Sequence, residues 1–143
     1  MWIDGNIEII SGVFGFITRY DLSNTTIYTK VHPSRDCIYK EADTVVKMKK
    51  DMLSNVKPQI SRYRAEGFPN GFGLHETSVI LRRHGDQRCQ IFGNRWAKEI
   101  MDGSHRDQLS FDYCRWKLGM NVGRLQIGNL LKDKNFRWRP HGK

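Results

Sequence analysis

The chain lacks several features that would assign it quickly to a class. It has no apolar run long enough to cross a membrane, and its first ten residues carry acids where a secretory leader carries bases. Cysteine is scarce: Cys37, Cys89 and Cys114 are three, widely spaced and without a CxxC pair. An odd, dispersed set argues against a disulfide framework or a zinc site and for reduced, buried thiols. A cytoplasmic location is the expectation. There are no internal repeats and no low-complexity tracts. Acidic residues are in deficit, 15 against 24 Lys and Arg, so the formal charge is +9. Yet no basic block is long enough to read as a nucleic-acid arm.

What is present is a globular balance: 38% hydrophobic, 11% aromatic and 27% charged residues over 143 positions, enough for one domain with one modest core. The net positive charge favours a phosphate-bearing partner, whether nucleic acid, a nucleotide-sugar or an anionic surface.

Local patterning alternates strands and helices. Residues 1–3 end a strand, and Asp4-Gly5-Asn6 makes a turn. Residues 7–10 suit either a helix or a short strand. Residues 25–31 are β-branched and read as a strand. Ser34 is a good cap for an amphipathic helix over about residues 35–50, with Ile38, Ala42, Val45 and Val46 on one face. A second helix spans residues 56–65, capped by Asn55 and stopped by Gly67, with Met52, Val56, Ile60 and Tyr63 as its stripe. Residues 68–73 form a loop and residues 77–81 a buried strand. A third helix covers residues 87–101, with Ile91, Phe92, Trp96 and Ile100 on one face. A fourth covers residues 106–118 and buries Leu109, Tyr113 and Trp116. Residues 124–127 make a last strand, and the basic, aromatic tail at 135–143 reads as irregular. Such alternation indicates an α/β sheet packed by helices.

Four short segments carry candidate chemistry. Asp4 and Asn6 sit just past a strand, where open α/β sheets bind ligands, and two oxygen-bearing side chains there suit a hard cation or a diphosphate. Asp-Gly-Asn is also an ordinary turn. His32 and Arg35 precede a helix whose free N–H groups favour a phosphate, although the same cluster reads equally as a cap. Glu76 enters a strand that His84 leaves. Arg106, Asp107 and Gln108 open a helix, where an acid also simply complements the dipole.

Taken in order, WIDGNIEI, HPSRDCIYKEA, YRAEGFPNGFGLHETSVILRRH and WAKEIMDGSHRDQLSFDYCRWKLG resemble a glycosyltransferase-like family long classed as a domain of unknown function. Its plant members include hexosyltransferase-like proteins linked to seed mucilage and cell-wall polysaccharide, and bacterial and viral members occur. The resemblance covers roughly residues 1–118. It implies a glycosyltransferase A-type, Rossmann-like mixed sheet flanked by helices, in a chain truncated at its N-terminus: the family's base-binding β-α-β units would precede Trp2-Ile3-Asp4, and a second chain is one way to supply them.

By the same resemblance, Asp4 and Asn6 are a variant Asp-x-Asp motif for a divalent ion, Mn or Mg, and His141 is the third metal ligand. Asp107 and Gln108 are similar to the Asp-Gln pair that approaches the donor sugar in related retaining enzymes, and the sequence does not separate inverting from retaining transfer. The implied function is transfer of a sugar from a nucleotide-sugar donor to a glycan or other hydroxyl acceptor. His32, Arg35 and Arg106 then face the donor's diphosphate, and Glu76 is the acceptor-side base. No nucleic acid is expected as a partner. Two other readings stand beside this one: a basic nucleic-acid module, with Phe136 and Trp138 stacking bases between Arg137 and Arg139, and a non-catalytic remnant. Asp4, His32, Glu76 and Asp107 are all expected near one edge of the sheet.

Overall fold

The computed structural model describes residues 1–129 and 133–140. Its elements run β1 (Trp2–Ile3), β2 (Ile7–Ile9), α1 (Val13–Ile17), β3 (Ile27–Val31), α2 (Ile38–Lys47), α3 (Leu53–Ala65), β4 (His75–Arg82), α4 (Gln87–Asp102), α5 (Gln108–Lys117), β5 (Gly123–Arg124) and β6 (Phe136–Trp138). Four strands form a mixed sheet in the order β1-β4-β3-β5. β4 pairs antiparallel with β1 and β3, and β5 lies parallel to β3. β2 and β6 make a separate antiparallel ribbon. The fold is mixed α/β.

Strand alternation sends side chains to two cores. Ile27 and Ile80 join one cluster with Ile38, Val45, Tyr63, Phe92, Phe111 and Tyr113 from the helices α2–α5. Tyr28, Val79 and Leu81 turn to the other face, against Ile7, Phe16, Leu125 and Phe136. The sheet is thus sandwiched between four helices and the β2–β6 ribbon with α1. Phe136 meets Phe16 edge-on at 5.0 Å, so the tail contributes a strand and a core residue where an irregular segment was expected.

Several boundaries move for identifiable reasons. α2 begins at Ile38, not near Ser34, because residues 33–36 wrap around His32: its Nδ1 accepts the N–H of Ser34 at 3.2 Å and of Arg35 at 2.9 Å. α3 begins at Leu53 because Asp51 accepts from Met52 N at 2.7 Å and from Asn55 Nδ2 at 2.9 Å. That leaves Met52 outside the helix and exposed, a correction to the expected stripe. Ile91 is likewise exposed, and Glu99 is buried on α4 in its place, accepting from Tyr63 Oη at 2.7 Å and paired with Arg62.

Two features shape the end of the sheet that matters below. Register slips between Thr29 and Lys30: Thr29 faces Ile80, but Lys30 faces Glu76. Residues 77–79 therefore bulge, and the Thr29 hydroxyl lies 2.6 Å from Glu76 O and 2.9 Å from Val79 O inside the kink. Bulges re-aim side chains and often sit beside sites. The second feature is Asp112, fully buried on α5. It accepts from His75 N and His75 Nδ1, each at 2.7 Å, and pairs with Arg115. Arg115 in turn donates to Phe72 O at 3.1 Å. The start of β4 is thereby clamped to α5. Removing one partner of a buried charge cluster strands the others. Asp112→Ala is expected to lower unfolding free energy by about 3–5 kcal/mol in a urea titration; a loss under about 1 kcal/mol, within the range of an ordinary surface pair, would show that the clamp is not what joins β4 to α5.

Candidate active site

β1 ends at Ile3 and Asp4 follows it, its N–H donating to Ser78 O at 2.8 Å, in the bulge. Its Oδ1 accepts from Gly5 N at 2.8 Å, closing the turn that leads into β2. Asn6 accepts from Trp138 Nε1 at 2.6 Å and donates to Asp4 Oδ2 at 3.2 Å, with its amide oriented to satisfy both neighbours. The turn therefore ties the main sheet, the ribbon and the tail together.

On the facing side, α4 ends at Gly103. A Cβ there would come within 2.5 Å of the Gln59 amide. That amide is pinned, donating to Glu99 O at 3.0 Å and accepting from Ser104 N at 3.1 Å. Gly103 is thus needed for close approach, and it delivers residues 104–107 to the head of α5. Asp107 caps α5, its carboxylate accepting from Gln108 N at 2.8 Å, while its carbonyl receives Trp96 Nε1 at 2.9 Å.

These segments enclose a cavity of about 540 Å³, lined by Asp4, Asn6, Glu76, Thr77, Ser78, His105, Arg106, Asp107 and Gln108, with Lys50 and the indoles of Trp2 and Trp138. That size suits a small-molecule ligand. Of the residues expected to share a site, Asp4, Asn6, Glu76, Arg106, Asp107 and Gln108 are brought together. His32 and Arg35 are not. Arg35 pairs with Glu41 and lies 2.9 Å from His32 Nε2. Burial, then the Arg35 charge, holds His32 below its ordinary pKa, as a neutral cap. His141 falls outside the described residues. Glu76 is engaged too, pairing with its cross-strand neighbour Lys30 at 3.0 Å.

Residues that the sequence did not mark also face the cavity. Thr77 and Ser78 are there because of the bulge, which no spacing rule reveals. Lys50 follows Lys49, a non-glycine residue at φ 52°, whose left-handed turn ends α2. His105 was visible only as a neighbour of Asp107. Ser78 Oγ and Gln108 Nε2 here are buried without a hydrogen-bond partner among the described residues, and Glu76 Oε2 is met only by the Lys30 charge; such groups are costly unless something satisfies them. Phe136 is buried, which removes one of the two aromatics that base stacking in the tail required.

The chain matches the family described as TOD1/MUCI70, glycosyltransferase-like domain, over residues 1–138. The chain belongs to this family. The match extends past the region of sequence resemblance and takes in β6, whose Trp138 closes the cavity. No curated protein and no solved structure matches the chain. Among the described residues no helix is long and apolar enough to cross a membrane.

Of the ligands that the resemblance implies for a divalent ion, Asp4 and Asn6 line the cavity and His141 lies outside the described residues. Such an ion is commonly held by one or two protein carboxylates, with substrate phosphates and water completing its shell. Asn6 gives its oxygen to Trp138 and turns its nitrogen to Asp4, and among the described residues no group of three or more His, Cys, Asp or Glu is placed to hold a metal. No step below runs through a metal.

Asp107 is electrostatically the most telling member. Burial raises its carboxyl above the ordinary 3.8; the Thr77 hydroxyl, the Gln108 N–H and the Arg106 charge pull it back, and Asp4 pushes it up again. Because the net shift is upward, the folded state holds this proton more tightly than the unfolded chain. Stability is therefore lost as pH rises from 3.8 through the raised folded-state pKa. Asp107→Asn is expected to melt above the parent at pH 7, with the gap closing once the pH falls below 3.8. Differential scanning calorimetry checks this; a lower melting temperature at pH 7 would mean that its hydrogen bonds outweigh its desolvation.

Proposed function

We propose that this cavity transfers a sugar from a nucleotide-sugar donor to a hydroxyl of a glycan or other acceptor. One observation carries the reading: in a chain of a glycosyltransferase-like family, Asp4, Asn6, Glu76, Arg106, Asp107 and Gln108, from three distant segments, converge on one cavity.

The chemistry of the walls supports it. Sugar recognition needs donors and acceptors at fixed angles, and Asp107 with Gln108 supplies both. Asp107 is anchored on both sides, by Trp96 and by the first turn of α5, so its geometry is set before a ligand arrives. A buried carboxylate also stabilises positive charge developing at an anomeric carbon. A departing diphosphate needs cations. Arg106 and Lys50 face the cavity, and neither makes a salt bridge among the described residues. Trp2 and Trp138, exposed at 42% and 39%, offer apolar ring faces, and the indole N–H of Trp138 is held by Asn6, which fixes that ring.

Calorimetric titration of the chain with UDP and GDP, with and without manganese, is the direct test. Arg106→Ala is expected to weaken diphosphate binding by about 1.5–3 kcal/mol, the worth of a hydrogen bond to a charged group. Arg35→Ala is expected to leave it unchanged, since its charge faces Glu41. The reverse pattern would place the diphosphate at the head of α2 instead. Asp107→Asn is expected to bind the diphosphate as the parent does and to turn over at least about 100-fold more slowly, roughly 2.7 kcal/mol in the barrier.

A further inference from the structure

Asp51 lies between α2 and α3 with its side chain only 2% exposed. Beyond the two donors that start α3, its Oδ2 accepts from the Ser104 hydroxyl, from His105 N at 3.1 Å and from His105 Nδ1 at 3.0 Å. A buried carboxylate gripped by so many donors does not move. It fixes His105 in the tautomer that protonates Nδ1 and leaves Nε2 bare. The ring is 64% exposed, and it lines the same cavity as Asp107 and Gln108.

No other group here is as free to take a proton. Glu76 is paired with Lys30. Asp107 caps α5 and receives the Thr77 hydroxyl. His32 and His75 use their ring nitrogens on Arg35 and Asp112, away from the cavity. From this geometry we infer that His105 is the base that accepts the proton of the acceptor hydroxyl, and that Asp51 is its positioning residue. The inference rests on the sugar-transfer reading above and moves the base role from Glu76 to His105.

The step balances without a further reactant. The acceptor O–H gives its proton to His105 Nε2 while the acceptor oxygen forms a bond to the anomeric carbon. The bond from that carbon to the diphosphate oxygen breaks, and its electron pair leaves with the nucleoside diphosphate. The imidazolium then releases the proton to water. A single displacement of this kind inverts the anomeric centre. The charged groups that share the cavities around the ring are Asp51 and Asp107, with Asp4 and Glu76 further along the wall, and the cations Lys49, Lys50 and Arg106.

The test uses the full chain, a panel of UDP- and GDP-hexoses, and cellobiose, maltose or glycerol as acceptor, following nucleoside diphosphate release against pH. His105→Gln is expected to lower kcat at least about 100-fold, the lower end for general base catalysis, and to lose the acidic limb of the profile. UDP affinity should stay at the parent value, and melting temperature should fall less than in Asp51→Asn, since four other donors remain on Asp51. Asp51→Asn should be slower with the limb displaced, and His84→Gln, an exposed histidine elsewhere, should match the parent. Parent-like turnover by His105→Gln, an unchanged pH profile, or a product that retains the donor's anomeric configuration would overturn the dyad while leaving sugar transfer standing. A parent that binds neither UDP nor GDP and turns over no donor would overturn both together.

Discussion

The Asp112 carboxylate, buried on α5, is the interaction on which the site's geometry depends. It takes both the backbone and the ring of His75 and pairs with Arg115. One strand and one helix that are distant in sequence are thereby locked in register. β4 brings Glu76, Thr77 and Ser78 to the cavity, and α5 brings Asp107 and Gln108. If the clamp opened, these two walls would have no common reference. An unpaired buried carboxylate costs several kcal/mol, so the arrangement is close to all-or-none.

A second layer of constraint works on the strand itself. The slip of register beside Thr29 turns consecutive residues of β4 toward the ligand side and frees Ser78 O to hold Asp4. The turn at residues 4–6 then reaches the ribbon through Trp138, so the cavity wall spans both sheets. On the other side Gly103 and the Gln59 amide set how residues 104–107 approach. The polar atoms left unpartnered at Ser78 and Gln108, and the carboxyl of Asp107 raised by burial, are costs to stability gathered in one place. Such concentration is expected where a surface is arranged for a ligand rather than for itself.

Much of the architecture is legible in periodicity. The α2 stripe at Ile38, Ala42 and Val45 is buried, as is Tyr63 on α3, and the apolar run of β4 lies in the middle of the sheet. Asp4 and Asp107 stand out as acids at the ends of apolar elements, and they do share a cavity. Legibility fails wherever one side chain answers to a distant partner. His32 draws residues 33–36 out of the helix that Ser34 suggests. Asp51 starts α3 three residues before its expected beginning and reaches across to His105, which is 54 positions away. Asp112 reads as an ordinary helical acid until His75 is placed beside it. Arg35 reads as a free cation until Glu41 is. Neither spacing nor propensity encodes such pairings, because each is decided by tertiary packing.

The central claim is that this cavity, and no other surface, receives a nucleoside diphosphate. The most direct measurement is a backbone amide chemical-shift map of the isotopically labelled chain titrated with UDP and with GDP. The account requires saturable shifts at Asp4, Asn6, Ser78, His105, Arg106, Asp107 and Gln108 for at least one of the two. Shifts confined to the groove between α3 and α4 around Arg62, Arg95 and Lys98, or no saturable shift with either ligand, would contradict it.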